Sequence, residues 1–252
     1  VALVAWLALA ESGARFALER AMRVLGGEVI GVGGRLGGPL AIESLVLHAG
    51  KTRIHASRVT LDWSPERLLA WEVRIDRLHA ASITVESEPS DGPVKEPATL
   101  ALPFGLHVAQ ASADRLVIAT RGKPDPLELR DLSLKFAGDG TAWVVRDGVA
   151  QTPFGRASVN GTLGAVRPFV LDAKGALEGL RGDRKYRLSL AAKGPLAGLE
   201  ASFAGEEGGL EGGGRARLAL FEPMPLRARS ARLSGLDAAV FGAAVTTKLA
   251  IE

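Results

Sequence analysis

The chain has 252 residues, of which 47% are hydrophobic, with 31 Lys and Arg against 28 Asp and Glu. This composition is typical of one large or two ordinary folded domains and excludes a disordered or collagen-like chain. The absence of cysteine excludes disulfide bonds, thiolate zinc sites and a cysteine nucleophile, and the net charge of +3 gives no strong attraction to nucleic acid.

The first segment, residues 1–10 (VALVAWLALA), is wholly apolar and ends at Glu11. As a helix, ten residues span about 15 Å, whereas the hydrocarbon core of a bilayer is about 30 Å thick. We therefore interpret residues 1–10 as the end of a truncated membrane anchor. A core segment of a folded domain is the alternative.

The next segment, residues 11–27, has the pattern of an amphipathic helix. Its apolar side chains recur at helical spacing, Ser12 suits the N-cap, and two glycines provide a stop. The apolar stripe consists of Ala14, Leu18, Ala21, Met22 and Leu25. Such a helix can lie at a membrane surface or pack on a domain, and the sequence does not separate the two.

From Val29 onward the apolar period changes to 2, which predicts strands with one apolar and one charged face. The exception is Ser64–Ala70, where Ser64, Pro65 and Glu66 suit the start of a short helix. We therefore predict an all-β fold for residues 28–252.

The alternation contains a recurring slip. Leu40 and Ile42 are followed by Leu45 and Leu47, so that one step covers three residues. A β-bulge absorbs such a step, whereas a hairpin turn would leave arms shorter than ordinary strands. The slip recurs, without a fixed period, within residues 54–63, 73–78, 127–136 and 226–233. It predicts an elongated, curled sheet of bulged strands.

Sequence motifs for catalysis, nucleotide binding or metal binding are weak. The glycine-rich residues 31–36 and the tripeptide Gly50-Lys51-Thr52 are interpreted as turns, because neither completes a nucleotide-binding motif. The histidines are scattered over strand-like segments without a close pair and are interpreted as polar-face residues: His48, His55, His79 and His107. We predict no catalytic residue, no metal site, no cofactor and no nucleic-acid partner. An enzyme built on a β-sandwich is the remote alternative.

The apolar face of so many strands has to leave water, and the predicted helices are too few to cover it. The sheet can close on itself, face membrane lipid, or curl into a trough that holds an apolar ligand. Large aromatics and aromatic girdles are scarce, with 8 Phe, 4 Trp and 1 Tyr in the whole chain. This favours the trough over a closed core and over an outer-membrane barrel.

Several short motifs follow one another within residues 1–136. They are Glu11-Ser12-Gly13, Gly34-Arg35-Leu36-Gly37-Gly38-Pro39-Leu40, Leu61-Asp62-Trp63-Ser64-Pro65, Ile75-Asp76-Arg77-Leu78, Leu102-Pro103 and Asp114-Arg115-Leu116. This order resembles the start of the TamB family, the inner-membrane component of the bacterial translocation and assembly module. Beyond residue 136 only the strand pattern agrees.

The resemblance implies a single-pass protein of the inner membrane with most of its chain in the periplasm, related to AsmA-like and bridge-like lipid-transfer proteins. It implies a taco-like β-sheet whose apolar groove conducts phospholipids between the inner and outer membranes and supports outer-membrane assembly. It further implies a BamA-like outer-membrane barrel partner of the TamA type, reached through a C-terminal region that this chain lacks.

We expect the groove to contact phospholipid acyl chains through one set of side chains. These are Leu40, Ile42, Leu45, Leu47, Ile54, Val59, Leu61, Val73, Ile75, Leu78, Ile83, Val85, Leu106, Val108, Leu116, Ile118, Leu127, Leu129, Leu132, Leu134 and Phe136. The alternative function is a structural module of outer-membrane protein or autotransporter assembly that pairs its strand edges with clients.

Overall fold

The computed structural model describes residues 11–24, 26–89, 96–207, 210–222 and 226–233. Within them the chain forms one α-helix, α1 (Glu11–Val24), and one β-sheet. The strands are β1 (Gly27–Gly34), β2 (Leu40–Ala49), β3 (Thr52–Ser64), β4 (Glu72–Ser87), β5 (Gly105–Thr120), β6 (Leu127–Gly138), β7 (Ala142–Thr152), β8 (Gly155–Gly164), β9 (Val170–Arg181), β10 (Arg184–Pro195), β11 (Leu199–Glu207), β12 (Leu210–Leu218) and β13 (Leu226–Leu233). Short 3-10 helices occur at Pro65–Ala70 and Leu196–Gly198.

The 13 strands lie in the sheet in sequence order, from β1 to β13. Neighbours are antiparallel except β4 and β5, which are parallel, so that both begin at the same end of the sheet. The sheet is weakly curved and open, so that β1 and β13 form its two edges within the described residues. The predicted all-β fold, a single elongated sheet preceded by a short helix, is confirmed.

The predicted slips lie inside continuous strands, so the hairpin alternative is wrong. In β2 and β3, Ile42 pairs with Val59 and Ser44 with Ser57, which leaves the intervening residue of each strand without a ladder partner. The same happens at one level across six strands, at Gly31, Glu43, Arg58, Ala81, Asp114 and Asp131. Because each of these six strands carries its extra residue at this level, the register does not shift here, whereas it does shift between Asp62 and Trp63 in β3 and between Val108 and Ala111 in β5.

The predicted short helix after β3 is present as a 3-10 helix, with Pro65 at its first position. Ser64 does not cap it, because the hydroxyl donates instead to Asp76 Oδ2 at 3.2 Å. The adjacent Trp71 takes a left-handed conformation and ends the helix before β4 begins.

Helix α1 packs against the beginning of the sheet through Leu18 and Met22. Leu18 contacts the core cluster of Val32, Ile42, Ala56, Val59 and Ala80, and Met22 is buried. A Cβ on Gly27 would lie 2.6 Å from Met22 Cε, so glycine there lets the helix approach β1. Ser12 lies within the first turn of α1 rather than before it. Residues 1–10, the predicted anchor, and Leu25 lie outside the described residues.

Candidate functional site

Every residue predicted to line the groove lies on one face of the sheet. Cross-strand partners share a face, so the ladders connect Leu45 in β2 through Ala56, Ile83 and Leu116 to Leu129 in β6. The remaining predicted residues join this face through equivalent pairs. We call it the apolar face. Its contact with lipid stays a prediction.

Sequence reasoning missed the small residues of the apolar face and its continuation beyond β6. Alanines alternate with the large side chains, at Ala80, Ala111 and Ala113. Beyond β6, the ladders extend the face through Val145, Val159, Leu177, Leu188 and Phe203. The same period-2 signal continues there, but interspersed glycines weaken it.

The apolar face is not covered by a second sheet within the described residues, because all of the strands belong to one layer. The strands pack mainly against their neighbours in that layer. Helix α1 contacts the face at its first edge, through Leu18. Most of the face is therefore left without a covering layer from the part of the chain that the structure describes.

Along β5, the apolar face is least exposed at Val108 and Ala113 and more exposed toward the end of that strand. Val108 is 5% exposed and Ala113 is 2% exposed, whereas Ile118 and its partner Leu127 are 40% and 42% exposed. Large neighbours cover the two buried positions, since Val108 pairs with Phe136 and Ala113 pairs with Leu132. The exposure of the apolar face therefore increases from Ala113 toward Ile118.

The ladder positions of the apolar face carry no ionisable side chain between β1 and β8 within the described residues. Ionisable groups enter in β10 and β11, where Tyr186 pairs with Glu207. Burial raises the pKa of the Tyr186 phenol above its ordinary value. The first eight strands therefore form a continuous surface that offers contact without charge.

The opposite face of the sheet is polar. Arg115 Nη2 and Arg130 Nε donate to the Glu128 carboxylate at 2.9 and 2.8 Å. Lys135 Nζ donates to Asp147 Oδ2 at 2.6 Å. The bond from Arg115 and then that from Arg130 lower the pKa of Glu128, and Lys135 lowers that of Asp147. These groups suit a solvated outer surface.

The histidines lie apart, each with its own contacts. His55 Nε2 is 3.1 Å from Ser44 Oγ, and His79 Nδ1 is 3.1 Å from Ser112 Oγ. His48 Nδ1 is 3.2 Å from the Gly26 carbonyl oxygen, and His107 Nδ1 is buried without a hydrogen-bond partner among the described residues. In the part of the chain that the structure describes, no group of three His, Asp or Glu side chains could hold a metal ion.

Residues 99–102, which precede β5, border one end of the face. Trp143, on the apolar face, donates from Nε1 to the Leu100 carbonyl at 2.8 Å, and the Leu100 amide donates to the Ala165 carbonyl at 2.8 Å. The Leu102 amide donates to the Asp139 carbonyl at 3.4 Å. Residues 99–102 are thus attached to the turns that follow β6 and β8.

Among the described residues, no helix has both the length and the apolar character that crossing a bilayer requires. The profile of a family described as TamB, N-terminal domain, matches residues 1–205. The matched stretch includes α1 and β1 to β10. Neither the curated proteins nor the solved structures contain a match to this chain.

Proposed function

Because the matched residues 1–205 make up more than half of its length, the chain belongs to the TamB family, and we propose on that premise that it conducts phospholipids along its apolar face. Membership of the family suggests a role in outer-membrane assembly and lipid transport. The proposed path connects the inner and outer membranes and lies on the apolar face of the sheet.

The observation that carries the proposal is the apolar face itself, free of ionisable ladder positions from β1 to β8 and without a covering sheet in the described residues. Burying an acyl chain there gains about 0.8 kcal/mol per methylene. The hydrophobic effect has no preferred direction, so a chain can move along the face without breaking hydrogen bonds.

The polar face supports the same proposal, because its ion pairs suit an aqueous compartment such as the periplasm. Anchoring of the chain through residues 1–10 would place β1 near the inner membrane. The later strands would then lead toward the outer membrane, where a TamA-type barrel is the proposed partner. No catalytic role is part of this proposal.

Native mass spectrometry of the chain, released from gentle detergent, tests lipid binding directly. We expect several phospholipids per chain, since the face extends over many strands. A well-folded chain without lipid would contradict the proposal.

Site-specific photo-cross-linking locates the lipid. Leu129 and Arg130 are adjacent in β6 but lie on opposite faces of the sheet. A photoreactive residue at position 129 should form phospholipid adducts, and the matched residue at position 130 should not. Equal labelling at both positions would place the lipid outside the apolar face.

The open order of the sheet favours a second candidate function, pairing with client strands. Within the described residues, β1 has a strand neighbour on one side only, and its Ile30 is exposed. An edge of this kind can accept an added strand from an outer-membrane protein. A photoreactive residue at position 30 should then cross-link to a purified unfolded barrel protein, and lipid adducts at position 129 alone would favour the conduit.

A further inference from the structure

The segment between β3 and β4 exposes four consecutive apolar residues, Leu68, Leu69, Ala70 and Trp71. Leu69 is 91% exposed and Trp71 is 75% exposed. No other run of four consecutive exposed apolar residues occurs in the part of the chain that the structure describes. Water-exposed runs of this length are unfavourable unless they serve a function. We call residues 65–71 the Leu-Trp knob.

Backbone hydrogen bonds fix the conformation of the Leu-Trp knob. The Trp71 amide donates to the Leu68 carbonyl at 3.1 Å, and the Gly105 amide donates to the Trp71 carbonyl at 2.9 Å. Trp71 has φ 55°, a left-handed conformation that residues other than glycine rarely adopt. The contacts to the 3-10 helix and to β5 maintain this conformation, so the knob is a fixed projection.

The chemistry of the knob fits the interface of a phospholipid bilayer. The indole of Trp71 combines an apolar ring with an N–H donor, the combination that is enriched at the boundary between headgroups and acyl chains. The nearly fully exposed Leu69 suits the hydrocarbon below that boundary. Arg67 is exposed beside the exposed Glu66 and has no ion-pair partner within the described residues, so its guanidinium can donate to a lipid phosphate.

A protein partner fits less well. Stable protein interfaces bury at least about 1,000 Å² with complementary packing, which a short projection with four apolar side chains does not supply. Insertion into a bilayer has no such requirement, because the lipid adapts its shape to the inserted side chains.

The position of the knob connects it with the apolar face. It follows directly after Trp63 and Ser64 at the end of β3 and precedes Val73, the first apolar-face residue of β4. We propose that the Leu-Trp knob inserts into the phospholipid bilayer interface and holds this end of the apolar face against the membrane. The contact between the Leu-Trp knob and the bilayer does not depend on the proposed function. The use of this contact as the entry point for lipid rests on the proposed function.

The absence of cysteine from the chain allows a residue-specific test. Leu69→Cys is labelled with the environment-sensitive fluorophore NBD, and Phe154→Cys, 57% exposed in the turn between β7 and β8, is the matched control. Vesicles of phosphatidylethanolamine and phosphatidylglycerol should shift the emission at position 69 to the blue and raise it several-fold, and brominated acyl chains should quench it. Position 154 should respond to neither.

The control also accounts for residues 1–10, because tethering through that segment acts on both labelled chains. An equal response at positions 69 and 154, or no response at position 69, would overturn the bilayer contact.

The entry role is tested with Leu69→Ser and with the double change Leu69→Ser and Trp71→Ser. We expect about tenfold slower lipid pick-up from vesicles, with unchanged phospholipid copies in native mass spectra of detergent-released chain. Unchanged pick-up in both variants would overturn the entry role. Wild-type chain without any lipid would instead refute the proposed conduit, so the two failures are distinguishable.

Discussion

Trp143 stacks on Phe136 on the apolar face, with ring centroids 5.1 Å apart and an angle of 20° between the rings. The indole also donates from Nε1 to the Leu100 carbonyl at 2.8 Å. Gly138, the ladder partner of Trp143, leaves room for the indole, because a Cβ there would collide with the ring. The Trp143 side chain thus connects the apolar face to residues 99–102, which border one end of it.

Trp143→Phe keeps an aromatic ring at the stack but removes this hydrogen bond. We expect the free energy of unfolding to fall by about 1 kcal/mol, the usual net value of one hydrogen bond. Urea denaturation measures the change. Trp63→Phe is the control, because Trp63 Nε1 is buried and has no hydrogen-bond partner in the described parts of the chain. An equal loss in both variants would assign the effect to packing alone.

A charge on the apolar face should reduce lipid binding. Leu132 and Ser133 are neighbours in β6 on opposite faces, and Leu132 pairs with the buried Ala113. Leu132→Glu should lower the number of bound phospholipids several-fold, because a carboxylate is costly to remove from water.

Ser133→Glu places the same charge on the polar face and should leave the lipid number unchanged. Ile75→Glu, on the apolar face of β4, should behave like Leu132→Glu. Circular dichroism checks that all three variants fold. A folded Leu132→Glu variant with the wild-type lipid number would count against the proposed conduit.

The aligned bulges require left-handed backbone at particular positions. Asp131 has φ 51°, a conformation that glycine and asparagine tolerate better than β-branched residues. We expect Asp131→Val to cost about 1–3 kcal/mol. Asp131→Gly and Asp131→Asn should be close to neutral. Urea midpoints measure the series, and a Val variant as stable as the Asn variant would contradict the backbone explanation.

Acid should weaken the fold through Glu128. Arg115 and Arg130 hold the pKa of Glu128 below its ordinary value of 4.5. The folded state therefore binds its proton less readily than the unfolded state, so this stabilisation is present above pH 4.5 and is lost as the pH falls through the folded-state pKa. Glu128→Gln should lose less stability than wild type between about pH 6 and about pH 3.

NMR titration of the Glu128 carboxyl carbon measures the same effect directly. Arg115→Ala removes the main cause and should raise the pKa of Glu128 toward its ordinary value. An unchanged pKa in that variant would show that the hydrogen bond does not form in solution.

The sequence alone determined which residues share a face. The alternation of side chains is a local property of extended backbone, so Leu40 and Ile42 point the same way whatever lies beside them. The slip before Leu45 is local too, because a bulge changes only the strand that contains it and restores the side chains to the same face. The resemblance to the TamB family was likewise carried by short stretches of sequence.

Only the tertiary structure decided how the strands are arranged and what lies over them. The parallel pairing of β4 with β5, the common level of the bulges and the absence of a covering sheet in the described residues depend on contacts between distant parts of the chain. Alternation predicts an apolar face in a closed core and in an open trough alike, because it records the direction of a side chain and not its neighbours. For the same reason the exposure of Leu69 and Trp71 could not be predicted from the sequence: whether an apolar side chain is buried depends on the element packed against it.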